Sequence, residues 1–132
     1  LLDHTDEVIV ENGGDIFLKT SRPATIGVFA GNSPLSLRIG LRLPSDTPLG
    51  VCTSSGTVGH SKSMGKADAV CVVSNSCILA DAAATAIGNH VQSQTDIRKG
   101  IDFGKNIAEI QGIVIICGDK MGAWGNLDMV PL

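Results

Sequence analysis

The spacing of apolar residues changes period along this chain. Leu37-Arg38-Ile39-Gly40-Leu41-Arg42-Leu43 alternates apolar with polar or small residues, which predicts a strand with one buried and one solvated face. Before it, Ile16-Phe17-Leu18-Lys19 and the run from Thr25 to Ala30 read as strands. Gly31-Asn32-Ser33-Pro34 is a turn signal between the second of these and the alternating run. Val8-Ile9-Val10 reads as a short strand or the end of a helix, and Glu11-Asn12-Gly13-Gly14-Asp15 as a turn. After Pro44-Ser45-Asp46-Thr47-Pro48, a strand is predicted from Gly50 to Ser54, and Asp68 to Val73 is apolar enough for burial on both faces. Strands that follow one another without helices predict an antiparallel meander.

Helical spacing then takes over. Ser76 or Ser74 caps a helix from about Cys77 to Val91. Its residues Ala80, Ala82, Ala83, Ala84 and Ala86 leave a small surface that a sheet or a ligand can approach closely. A second helix, Thr95 to Ala108, is weakened by Gly100 and Gly104. Gly112 to Cys117 reads as the last buried strand, Gly118 to Gly122 as a turn, and Trp124 to Val130 as a closing edge strand.

The chemistry in this pattern centres on Asp81 and Thr85. Four apart on a helix, a carboxylate and a hydroxyl face the same way and can hold one hard cation. Two oxygens alone hold Mg²⁺ poorly, so the pair calls for a phosphate-bearing partner and reads as a Mg²⁺-assisted nucleotide site. Thr53-Ser54-Ser55-Gly56-Thr57, continuing through Val58-Gly59 to His60, offers hydroxyls and backbone N–H groups for that phosphate. Equally, Asp81 can be a first-turn acid, and Thr85 can bond back to the carbonyl four residues earlier. Asn12-Gly13-Gly14-Asp15 permits close approach of a ribityl, ribose or base edge, and a hairpin explains it as well. His60 suits a general base or a phosphate donor, or is a hydrogen-bonded surface residue. The loop lacks the Lys and spacing of a P-loop, and Ser54 and Ser55 lack the setting of a hydrolase nucleophile.

Composition narrows the classes. At 132 residues, with 43% hydrophobic and 17% charged residues, the chain (1–132) is a single folded domain. A net charge of −3, no Tyr, one Trp and three Phe serve neither phosphate-backbone steering nor base stacking, so nucleic acid is excluded as a partner. Apolar runs such as Ile113 to Cys117 fall far short of the ~20 residues that cross a bilayer, so no membrane partner is expected. Cys52, Cys71, Cys77 and Cys117 form no C-x-x-C pair, so they read as thiols in a reducing cytosol rather than a zinc framework. Cys52, opening the hydroxyl-rich loop, is expected to be partly exposed: a reactive thiol near His60, or a strand cysteine that packs. The start at Leu1-Leu2-Asp3 without Met suggests a fragment.

Three segments, in order, carry a resemblance: Glu-Asn-Gly-Gly-Asp-Ile at 11–16, Gly-Val-Cys-Thr-Ser-Ser-Gly-Thr-Val-Gly-His-Ser at 50–61, and Ala-Asp-Ala-Ala-Ala-Thr-Ala-Ile-Gly-Asn at 80–89. The chain resembles the ApbE-like superfamily of FAD:protein FMN transferase relatives, and within it a compact branch whose members look about twice this long. The resemblance implies an α+β, T-fold-related architecture of mixed or antiparallel sheet with packed helices, incomplete at its N-terminus. It implies that Asp81 and Thr85 hold Mg²⁺ against the pyrophosphate of FAD, or against FMN, while Gly13, Gly14 and Asp15 approach the cofactor. The transferases' His-x-x-Asp-Pro-x-Thr-Gly-type segment is absent after His60-Ser61. Three functions are therefore carried forward. One is a Mg²⁺-dependent transferase or hydrolase acting on a dinucleotide pyrophosphate. The second is a sulfide-assimilation and homocysteine-forming protein with Cys52 as persulfide carrier, and the third a non-catalytic cofactor-binding or scaffold protein. A cytoplasmic homodimer is expected, because so short a chain leaves sheet edges to cover.

Overall fold

Two adjacent strands without a solvated face set the architecture: β5 (Leu49–Ser54) and β6 (Ala69–Ser74) bury every residue. A strand buried on both sides needs a layer above and a layer below. The structure, a computed structural model, describes residues 7–11, 14–18, 24–43, 48–56 and 65–132. In it the chain is α+β. A five-stranded sheet has the order β2-β5-β6-β7-β8, with β2 (Asp15–Leu18), β7 (Ile110–Cys117) and β8 (Lys120–Gly125). Every neighbouring pair in it is antiparallel.

On one face lie α1 (Cys77–Asn89) and α2 (Ile97–Gly104). Val70, Val72, Ile113 and Ile115 of the sheet meet Ala80, Ala84, Ile87 and Ile101 of the helices. On the other face lies a four-stranded sheet, β1-β3-β4-β9, built from β1 (Glu7–Glu11), β3 (Ala24–Val28), β4 (Ile39–Leu43) and β9 (Asp128–Pro131). There Val51, Cys71, Val73, Val114 and Ile116 pack against Ile26, Val28, Leu41 and Leu43. Each fully buried Val, Leu or Ile in these two cores contributes about 1.5–3 kcal/mol.

Several sequence-based expectations change. The strands form two sheets and not one meander, and β1 runs parallel to β3, which also settles the first segment as a strand. The closing strand from Trp124 to Val130 is two strands in different sheets. Gly125, at φ +105°, makes the turn between them, a conformation glycine adopts without penalty. The turn expected to reach Gly122 ends at Asp119, since β8 begins at Lys120. The second helix is shorter at both ends: Gln94–Asp96 is a 3₁₀ turn, and beyond Gly104 the Asn106 side chain donates to the Asp102 carbonyl at 2.9 Å. Gly100 and Gly104 sit on the buried face, where their lack of a side chain lets α2 approach Ile87, Val91 and the β7 isoleucines. The first helix begins where expected, with Ser76 accepting from the Leu79 N–H at 3.2 Å, a cap worth about 1 kcal/mol.

Helix α1 lies directly on β5 at Gly50. A Cβ there would stand 2.6 Å from the Cα of Cys77 and 2.8 Å from its nitrogen, both backbone atoms that cannot turn aside. Gly50→Ala should therefore destabilise the fold by about 1–3 kcal/mol in urea denaturation. Gly100→Ala, which meets side-chain methyls of Ile115, Val91 and Ile87 and no backbone atom, should cost less. An equal loss in the two variants would show that the α1–β5 contact is not the tight one.

Candidate functional site

The contact at Gly50 assembles a cluster. Asp15 of β2 lies directly opposite Cys52 of β5 in the antiparallel register, so the two side chains leave the sheet on one face. That is the face α1 covers, because Gly50, two residues before Cys52, meets the first residue of α1. Cys77, Asp81 and Thr85 follow at intervals of four along α1 and so form one stripe on the helix.

The Cys52 thiol donates to the Cys77 carbonyl at 3.3 Å and lies 3.6 Å from the Cys77 sulfur. Donor atoms of Asp15, Cys52 and Cys77 all lie within 4.8 Å of one another. Exposure grades from Asp15 at the surface, through half-buried Cys77 and Asp81, to fully buried Cys52. Burial, then the Asp15 carboxylate and the Cys77 thiol, push the Cys52 thiol far above the ordinary cysteine range, so it stays protonated at neutral pH. The Asp81 carboxyl is also raised, first by partial desolvation and then by the charge of Asp15 and a hydrogen bond with it. A proton or a cation between the two carboxyl groups would ease their repulsion.

Asp81 is the fifth residue of α1, beyond the first turn, and Ser76 caps the helix. Asp81 is thus not placed as a helix-terminal acid. Gly14 is half-buried and its carbonyl accepts the Thr53 N–H at 3.1 Å. Thr53 and Ser54 end β5, as the strand expected to Ser54 requires, and Ser55 follows them; all three are buried. Thr53 pairs with Cys71 and points into the core between the sheets, away from α1. Gly56 is half-buried, its N–H bonded to the Ala67 carbonyl at 2.9 Å. Asn12, Gly13, Thr57 and His60 lie outside the described residues. Cys52 was expected to be partly exposed and is fully buried, because the period-two face of β5 it occupies lies under α1. Cys77 was not singled out from the sequence, although its place four residues before Asp81 was a usable signal.

A groove of about 670 Å³ lies between α2 and β8, lined by Ile97, Ile101 and Trp124 with Arg98, Lys105 and Lys120. It is at the opposite edge of the five-stranded sheet from β2, about 19 Å away over four strand spacings, so it shares no residue with the cluster. Among the described residues no helix is long and apolar enough to cross a membrane.

The family model described as "AbpE bacteria" matches residues 1–123. The chain is 48% identical over 123 residues to a UPF0280 protein of Methanocella arvoryzae, a match covering 92% of this chain and 50% of that one. It is 44% identical over 125 residues to a UPF0280 protein of Methanococcus aeolicus (91% and 50%), and 45% identical over 124 residues to one of Methanosarcina barkeri (92% and 49%). The chain spans about half the length of these curated relatives.

The carboxyl pair predicts a pH dependence. With its folded pKa raised, Asp81 keeps its proton longer in the folded state than in the unfolded one. Its contribution to stability is therefore present at acid pH and is lost as pH rises through the folded pKa. Asp15→Asn removes the neighbouring charge and should flatten the fall in urea-measured stability as pH rises above the ordinary carboxylate pKa of about 4. An unchanged or steeper fall would mean that the two carboxyl groups do not interact.

Proposed function

The chain belongs to the AbpE bacteria family, and from that footing we propose that it is an ApbE-like, Mg²⁺-dependent protein that binds the pyrophosphate of a dinucleotide, with FAD as the ligand of choice. One observation carries the reading: Asp15 and Asp81, from different elements, confront each other at the exposed edge of the sheet. Partial desolvation and then the charge of Asp15 raise the Asp81 pKa, an arrangement that a divalent cation would relieve. The donors fit a hard ion. Asp81 and Thr85 on α1 would hold Mg²⁺, with Asp15 beside them, and the remaining positions suit water and phosphate oxygens. Bound there, Mg²⁺ would offset pyrophosphate charge.

Phe17 supports a ligand with a ring. It lies two residues beyond Asp15 on β2, opposite Gly50 and hence on the same face, and is 60% exposed. An exposed aromatic beside a cation site is a stacking platform for a flavin or adenine. Transfer of an FMN moiety, or hydrolysis of the pyrophosphate, is the reaction class this arrangement suits. The sulfide-assimilation reading draws less from the geometry, since a buried, protonated Cys52 is a poor nucleophile and persulfide carrier.

Calorimetric titration of the full-length protein with FAD, with and without Mg²⁺, tests the reading. Saturable binding is expected only with Mg²⁺, weakened at least about tenfold in Asp81→Ala and to a smaller extent in Thr85→Ala. Absence of FAD binding under every condition, or binding indifferent to Mg²⁺ and to Asp81, would sink it.

A further inference from the structure

The thiols behind the carboxyl pair have no part in a Mg²⁺–dinucleotide site, because a hard cation prefers oxygen. We propose that Asp15, Cys52 and Cys77 form a second, softer metal site of the zinc class, with two thiolates, one carboxylate and a fourth position open toward solvent. The inference goes beyond the dinucleotide reading; it shares Asp15 with it as a ligand and Asp81 as that ligand's neighbour.

Geometry carries the proposal. Two thiolates on a tetrahedral Zn²⁺, each about 2.3 Å from the metal, stand about 3.8 Å apart. The Cys52 and Cys77 sulfurs are 3.6 Å apart, close to that spacing and well short of the approach to about 2.05 Å that a disulfide requires. The Asp15 donor lies within 4.8 Å of both, which a small rotation of an exposed side chain brings to ligand distance. The three ligands come from three elements held by independent constraints: the β2–β5 register for Asp15 and Cys52, and the Gly50 contact for Cys77. Asp81, hydrogen-bonded to Asp15, would orient the carboxylate as an outer-shell partner. On binding, the metal displaces the two thiol protons to solvent. The sulfurs keep their oxidation state, and Zn–S bonds replace S–H bonds.

Co²⁺ is the probe, since a cobalt–thiolate bond gives a near-ultraviolet charge-transfer band that carboxylate coordination lacks. Titrated into the reduced full-length protein, Co²⁺ should produce a saturable band that Zn²⁺ bleaches. Cys77→Ser, at a half-buried position, and Cys52→Ser should each weaken Co²⁺ binding at least about tenfold. Cys71→Ser and Cys117→Ser should leave the band intact, with circular dichroism reporting that each variant is folded. No thiolate band, a band that survives in folded Cys77→Ser, or a band that depends on Cys117 overturns the proposal. The FAD titration is read separately. FAD binding without a cobalt band fails this site alone, and a cobalt band without FAD binding fails the dinucleotide reading alone.

Discussion

The architecture depends on the double-sided burial of β5, β6 and β7. The last of these leaves only Gln111 exposed among eight residues. Strands of this kind fold only if both faces are covered at once, which forces the helices to one side and the four-stranded sheet to the other. The cover over β5 must also be close, because Gly50 and Cys52 offer little bulk to hold a helix at a distance. Helix α1 meets that demand with Cys77, Ala80, Ala83 and Ala84 facing the sheet side of the molecule, and the small residues of the helix and the small residues of the strand are one solution to one packing problem.

The site is a by-product of that packing. Once α1 rests on β5 at Gly50, Asp81, one turn further along it, comes to Asp15 on β2, the edge of the sheet. Polar groups are tolerated at an edge, where water reaches Asp15, and penalised one strand inward, where Cys52 is fully buried. The cluster accordingly runs from a charged, solvated end to a neutral, apolar end within one strand spacing. Oxygen donors occupy the wet end and sulfur donors the dry one. That gradient separates Asp81 and Thr85, the oxygen donors of the proposed cation site, from the thiols of Cys52 and Cys77, with Asp15 between them.

Much of this was legible in the sequence where a local signal and a tertiary demand coincide. Ser76 followed by an alanine-rich helical run gave the start of α1, and the apolar run from Ala69 to Val73 gave a buried strand. The strand from Trp124 to Val130 was misread because both of its parts suit extended backbone, and a single glycine at Gly125 turns the chain from one sheet into the other. The strand expected from Gly50 to Ser54 is β5 itself, whereas Ser55 and Gly56, expected in the loop, are tied to the neighbouring segment, Gly56 through its N–H to the Ala67 carbonyl. Within β5, Thr53 stands opposite Cys71 and Ser54 opposite Val70. The stripe of Asp81 and Thr85 follows from helical spacing alone. Its meeting with Asp15 does not, since that depends on which residue of β2 pairs with Cys52, a register set by contacts distant in sequence.

A one-residue slip in that register would turn Asp15 toward the core between the sheets and Ile16 toward α1. The carboxylate would then be buried without a partner and the isoleucine exposed at the edge, a double penalty that keeps the pairing where it is. The same alternation places Phe17 on the face of Asp15 and Ile16 in the core between the sheets, so one register decides three environments. Partial desolvation and then the charge of Asp15 raise the Asp81 pKa, and both work against a charged pair in this place. Packing therefore sets the register, and the electrostatic tension left at the edge is a consequence that a proton or a bound cation relieves.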